Sequence, residues 1–223
     1  MDKALTDNIV ALEWDMFQLV NEGGPRADCQ DDFRTFDGMR RGQFEAWSDE
    51  AAKSYEGDLE AAKVAGRNLI AEKYIHMMRT TTPARYEKLM EGVPRPTERA
   101  EALAQAISDK MLAQTEALQE KYPYVSGTGR PLHSASDFSG VTSIETYQLG
   151  ELLTYSENTL AALGRHLDAL EANGVSLAGE ILANSVKFYG YASLKEAEDA
   201  ARTRAEASPL EVLDWSFGCA DCD

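Results

Sequence analysis

Apolar residues recur at three- and four-residue spacing along nearly the whole chain, and no stretch alternates with the period of two that a strand needs. Lys3 to Val20 opens the series, with Leu5, Ile9, Leu12, Met16 and Leu19 or Val20 on one face. Gly23-Gly24-Pro25 then stops it. Asp31 or Asp32 starts a second helix carrying Phe33, Phe36, Met39, Arg40, Phe44 and Trp47, in which Gly38 and Gly42 are weak points or places of close packing. Ser48 opens a third helix running to about Thr80, with Leu59, Ala62, Leu69, Tyr74 and Met77 inward.

Pro83 suits the first position of a short helix ending near Met90, and residues 92–96, Gly-Val-Pro-Arg-Pro, read as a hinge. Thr97 begins another helix with Leu103, Ile107, Met111 and Leu118 inward. Residues 122–141 are rich in Gly, Pro and Ser and form the longest stretch without helical period, of the length expected of a lid or binding loop. Thr142 and Glu145 then stand at capping-box spacing, and a single helix is expected from Thr142 to Asn173. Its second half carries the stripe Leu160, Leu163, Leu167 and Leu170. Its first half places Tyr147, Glu151, Tyr155 and Asn158 on one line, a polar face that is either solvated or lines a ligand pocket. Further helices start at Ser176, Ser193 and Ser208, and the last leads into a tail ending Gly218-Cys219-Ala220-Asp221-Cys222-Asp223. The expected fold is therefore all-α, one multi-helix bundle over residues 1–223 with a long loop at about 122–141 and a cysteine-bearing tail.

Charge narrows the partners. With 38 acidic and 22 basic side chains the 223-residue chain carries a formal charge of -16, and its pI is about 4.6. No Lys/Arg cluster offers a phosphate-tracking surface, so neither nucleic acid nor an anionic membrane is an expected partner. Asp2, Asp7, Glu13 and Asp15 interrupt the apolar pattern of the first twenty residues, which argues against a signal-peptide core or spanning helix and for a cytoplasmic protein. The sequence leaves the oligomeric state open.

In a reducing compartment the three cysteines read as metal ligands or working thiols. Cys219 and Cys222 have the spacing of a metal-binding or redox pair, and Cys29, in a loop ahead of a helix, is the one further thiol. Three thiolates with an open position suit an iron–sulfur cluster or a catalytic zinc; adding His133 from the long loop gives a structural zinc. The leading expectation is a metal-dependent enzyme of lyase or hydrolase type acting on a small polar molecule. Cys29, Cys219, Cys222 and His133 would hold the metal, Glu145, Glu151, Tyr147 and Tyr155 would position substrate or move protons, and Arg26, Arg34 and Arg130 would clamp it. A carboxylate di-metal site using Glu13, Glu72, His76, Glu145 and Glu151 fits less well, because Glu72 and His76 are four apart and not three. Two alternatives come from other classes: a helical protein-binding module whose terminal cysteines form a zinc or thiol clasp, and a dithiol redox protein.

The segments GGPRADCQDDFRTF, TSIETYQLGELLTYS, YGYASLKEAE and GCADC, in this order, resemble a bacterial family catalogued as domain of unknown function 4125. The resemblance covers nearly the whole chain and implies an enzyme-sized, free-standing domain. It brings no activity, cofactor or catalytic residue with it.

Overall fold

The computed structural model describes residues 2–21, 26–127 and 129–207. Among them are eleven α-helices and no strand beyond an isolated bridge between Phe138 and Val141. The helices are α1 (Lys3–Gln18), α2 (Phe33–Glu45), α3 (Asp49–Val64), α4 (Leu69–Thr81), α5 (Pro83–Leu89) and α6 (Glu98–Lys121), then α7 (Pro123–Ser126), α8 (Ile144–Leu152), α9 (Glu157–Ala172), α10 (Leu177–Phe188) and α11 (Leu194–Ala207).

The starts follow local chemistry. Asp2, Asp32, Ser48, Asn68, Thr97, Ser143, Ser156 and Ser176 each cap a helix by accepting a backbone amide on the side chain. Two long expected helices are each broken in two. The stretch from Ser48 to Thr80 divides at residues 65–68, where Gly66 adopts φ +69° and Asn68 caps α4 through the Ala71 amide at 2.9 Å. The stretch from Thr142 to Asn173 divides at residues 153–156. There Ser156 caps α9, while Asp58 of α3 accepts from the Ser156 amide at 2.9 Å and the Thr159 hydroxyl at 2.7 Å. A tertiary acid thus satisfies an amide that the continuous helix would have used internally. The expected Thr142/Glu145 box also shifts by one residue: Ser143 is the cap, accepting from the Thr146 amide at 3.1 Å.

Helix pairing builds the bundle as α1 on α3, α3 on α9, α9 on α6, α6 on α10, α10 on α2, and α4 against α8. One buried apolar cluster runs through these helices and draws residues from both sides of the 92–96 connection, among them Leu59, Leu69, Ala104, Leu160 and Leu167. A smaller cluster, Val125, Val186, Ala197 and Ala201, seats α7 and α11 against α10. At α2 both glycines are close-packing positions. A Cβ on Gly38 would lie 2.4 Å from the Phe188 ring, and one on Gly42 2.8 Å from Ser185 Oγ, so α10 lies against the α2 backbone. Leu19, expected inward or equivalent to Val20, is exposed, and Val20 is half-buried. No helix of the described residues is long and apolar enough to cross a membrane.

Candidate functional site: a cavity floored by buried charges

Four ionised side chains meet in the bundle interior, each from a different helix: Glu13 of α1, Arg40 of α2, Lys73 of α4 and Glu151 of α8, all at 7% exposure or less. Arg40 is the hub. Its Nε and Nη2 donate to Glu13 Oε2 and Oε1, both at 2.6 Å. Its Nη1 and Nη2 also donate to Glu151 Oε2 and Oε1 at 3.2 and 2.9 Å, and Nη1 to Gln43 Oε1 at 2.9 Å. Lys73 Nζ donates to Glu151 Oε2 at 2.6 Å. Two tyrosine hydroxyls close the set, Tyr55 onto Glu13 at 2.7 Å and Tyr155 onto Glu151 at 2.6 Å, and Gln43 Nε2 adds a further donor to Glu151 at 2.8 Å. Two carboxylates and two cations cancel, which is the condition for keeping charges away from water without a large penalty.

The electrostatics follow from this. Burial by itself favours a neutral Glu151, but Arg40 and Lys73 outweigh it and hold the carboxyl well below its usual range. Burial by itself weakens the Arg40 charge, and Glu13 and Glu151 reverse that, so the guanidinium is held more firmly than usual. Burial, then the adjacent carboxylates, push the Tyr55 and Tyr155 phenols well above their ordinary value. Glu151 accepts five hydrogen bonds and is locked as an anion. Such a group can position its neighbours. It is a poor proton carrier near neutral pH.

Above this floor lies a cavity of about 340 Å³. Arg40, Gln43, Glu151 and Tyr155 form its charged end; Trp47, Ile107, Met111, Leu163, Leu177 and Ile181 are among its apolar walls; Gly129, Arg130 and Tyr147 also border it. Gly129 is the exposed residue of this lining, and Arg130 beside it is half-buried. Arg130 Nη1 donates to the Thr142 carbonyl at 3.1 Å, and its guanidinium carbon stands 5.4 Å from the centre of the Tyr147 ring. Lys73 Nζ lies 3.6 Å from the same ring centre.

The polar line expected on the first half of the Thr142–Asn173 stretch thus divides. Tyr147, Glu151 and Tyr155 border the cavity, whereas Asn158, beyond the helix break, is exposed. Glu145 is outside the cavity lining; its Oε2 accepts from the Ser134 amide at 2.7 Å and so pins the long loop. Of the three arginines expected to clamp a substrate, Arg130 borders the cavity. Arg26 is bound to Asp31 and Gln18, and the exposed Arg34 stands 5.9 Å from the Phe188 ring centre. His133 is half-exposed, 3.9 Å from both Glu116 and Glu145. Cys29 is half-buried beside the apolar core, and Cys219 and Cys222 lie outside the described residues. Among the described residues no three or more His, Cys, Asp or Glu side chains are grouped to hold a metal ion. Glu72, considered for a di-metal site, is paired with Arg67 at 2.6 Å.

Lys73, Gln43 and Tyr55 carry no expectation from the sequence as site residues; Arg40 is one of the arginines beside the Cys29 loop that could clamp an anion, and Glu13 enters only as a candidate di-metal carboxylate. A usable signal was present. Each of the four buried charges has an apolar or aromatic residue four positions away on both sides: Ile9 and Phe17, Phe36 and Phe44, Leu69 and Met77, Tyr147 and Tyr155. A charge centred on a buried stripe needs a partner on another element.

Neither the curated proteins nor the solved structures include a significant match to this chain. A family profile described as "Protein of unknown function (DUF4125)" matches residues 3–199, and the chain belongs to that family.

Proposed function

We propose that this is a cytoplasmic ligand-binding domain whose cavity takes up a small, mainly apolar organic molecule. The observation that carries the reading is an apolar-walled cavity of about 340 Å³ set on a charge network that is already internally satisfied. Cavities of this size and lining are characteristic of small-molecule sites. Had the polar end held loose carboxylates or an unpaired cation pair, a polar substrate and acid–base chemistry would be favoured. Instead the floor is saturated and fixed, which suits shape-selective binding. The expected small polar substrate therefore gives way to a largely apolar one. A cysteine-bound metal draws on residues outside the description, and the cavity reading does not require it.

Titration with the uncharged fluorescent probe N-phenyl-1-naphthylamine tests this reading. The probe should brighten on binding and quench Trp47, a cavity wall that is 6% exposed. Ala178→Phe, which extends a side chain into the cavity, should abolish both signals while the circular dichroism spectrum stays helical. Equal binding by wild type and Ala178→Phe would place the probe elsewhere and sink the reading.

A further inference from the structure

We infer that the occupant of the cavity carries a single carboxylate and that Arg130 binds it, an inference that rests on the cavity being a ligand site. The cavity lining contains two cations, Arg40 and Arg130. Arg40 is consumed: every one of its five N–H groups points at Glu13, Glu151 or Gln43. Lys73 is likewise committed to Glu151 and lies against the Tyr147 ring.

Backbone amides are no better placed to receive an anion. At the start of α8, where a helix would normally offer them, the Ile144 and Glu145 amides are donated to the Pro131 and Leu132 carbonyls, and the Thr146 amide to the Ser143 hydroxyl. Of the two cations in the lining, Arg130 is the one left with N–H donors to offer. Its one hydrogen bond among the described residues goes to the neutral Thr142 carbonyl, and no carboxylate of those residues lies within ion-pair distance of it. That is unusual company for an arginine in a chain with 38 acidic side chains.

The Tyr147 ring holds the guanidinium at the cavity rim, half-buried, where a charge-assisted hydrogen bond outperforms one in open water. One unneutralised cation balances one anionic charge, and the planar fork of a guanidinium matches the two oxygens of a carboxylate. A dianionic phosphate would bring a second charge for which the lining holds no counterpart.

The test uses the full chain and three probes of matched length, decanoate, 1-decanol and decylamine, each displacing N-phenyl-1-naphthylamine at neutral pH. Wild type should bind decanoate roughly tenfold more tightly than decanol, with decylamine weakest. Arg130→Gln should erase the preference for decanoate over decanol; Arg130→Lys should retain part of it. Thermal unfolding of both variants checks that they are folded. Equal affinity for decanoate and decanol in the wild type, or a preference that survives Arg130→Gln, overturns the carboxylate assignment and leaves the cavity reading standing. Displacement by none of the three overturns both.

Discussion

The Tyr155 hydroxyl donates to Glu151 Oε1 at 2.6 Å across the point where α8 has ended and α9 has not begun. The four-residue separation is that of one helical turn, yet the bond bridges a break. It therefore fixes the angle at which the chain leaves α8, and it adds an O–H donor to a carboxylate that already serves Arg40, Lys73 and Gln43.

Tyr155→Phe removes that donor and keeps the ring, which packs edge-on against Trp47 and tilted against Tyr55 at centroid distances of 5.8 and 4.6 Å. A hydrogen bond to a buried charge contributes about 1.5–3 kcal/mol. Urea unfolding of the variant should show a loss in that range with an unchanged slope. A loss under about 0.5 kcal/mol would mean the hydroxyl is dispensable.

Arg40→Met should be far more damaging, because it leaves Glu13 inside the bundle without a counter-ion and Glu151 with Lys73 alone. Breaking a buried pair on one side costs about 3–5 kcal/mol, and here Glu13 loses its one cation. The charge-free variant combining Arg40→Met with Glu13→Leu, Lys73→Met and Glu151→Met should recover much of the loss, since packed apolar side chains often replace buried ion pairs at little cost. Denaturation midpoints of the two variants decide the matter, and a charge-free variant weaker than Arg40→Met would contradict it.

How much of this was legible beforehand differs between fold and site. The helical period and the caps are local signals, and they place most of the helices. The two long helices were read through their breaks because Gly66 and the Ser156 cap lie inside apolar patterns that continue with nearly the right phase on the other side. Only Asp58, from a different helix, makes the second break favourable. For the site, Tyr147, Glu151 and Tyr155 share one helical line with Asn158, and Arg130 is one of three arginines expected to clamp a substrate. Glu13, Arg40 and Lys73 come from three other helices, and nothing in their immediate neighbourhood names Glu151 as their common partner.

Acid should loosen the fold earlier than its carboxylates suggest. His76 is 5% exposed, and its Nδ1 has no hydrogen-bond partner among the described residues. Burial, with a contribution from Arg79, pushes its pKa down from 6.5 to about 4. Between those values the unfolded chain binds a proton that the folded chain refuses, so stability falls as the pH drops through this window. Going from pH 6.5 to 5 should cost about 2 kcal/mol, and His76→Phe should flatten this part of the profile. Glu151 acts later. Its depressed folded pKa contributes stability that is complete above the ordinary carboxylate value of 4.5 and is lost as the pH falls further toward the folded value. A profile for His76→Phe identical to wild type between pH 7 and 5 would refute the assignment.

The contact of α2 with α10 offers a cleaner packing test. Gly38→Ala puts a methyl group where the Phe188 ring now sits, within 2.4 Å of it, and the ring must move. A loss of about 1–3 kcal/mol is expected from the overpacking. Phe188→Ala should make Gly38→Ala nearly harmless. Additive losses in the double variant, read by thermal unfolding, would show that the two residues do not compete for the same space.

The buried quartet also bears on how the chain finds its fold. Its members are brought together over separations of 27, 78 and 111 residues; Glu13 and Arg40 lie on neighbouring helices, while both contacts of Glu151 span distant elements. A bundle that docks α1, α2 and α4 but leaves α8 outside would enclose Arg40 and Lys73 without Glu151, and a bundle shifted by one turn would leave at least one charge dry and alone. Such near-misses are penalised by several kcal/mol, whereas a purely apolar seam would accept them with little protest. The quartet thus acts as a register check: correct assembly becomes favourable only when the last of the four helices arrives, and closure of the interior is deferred to that step.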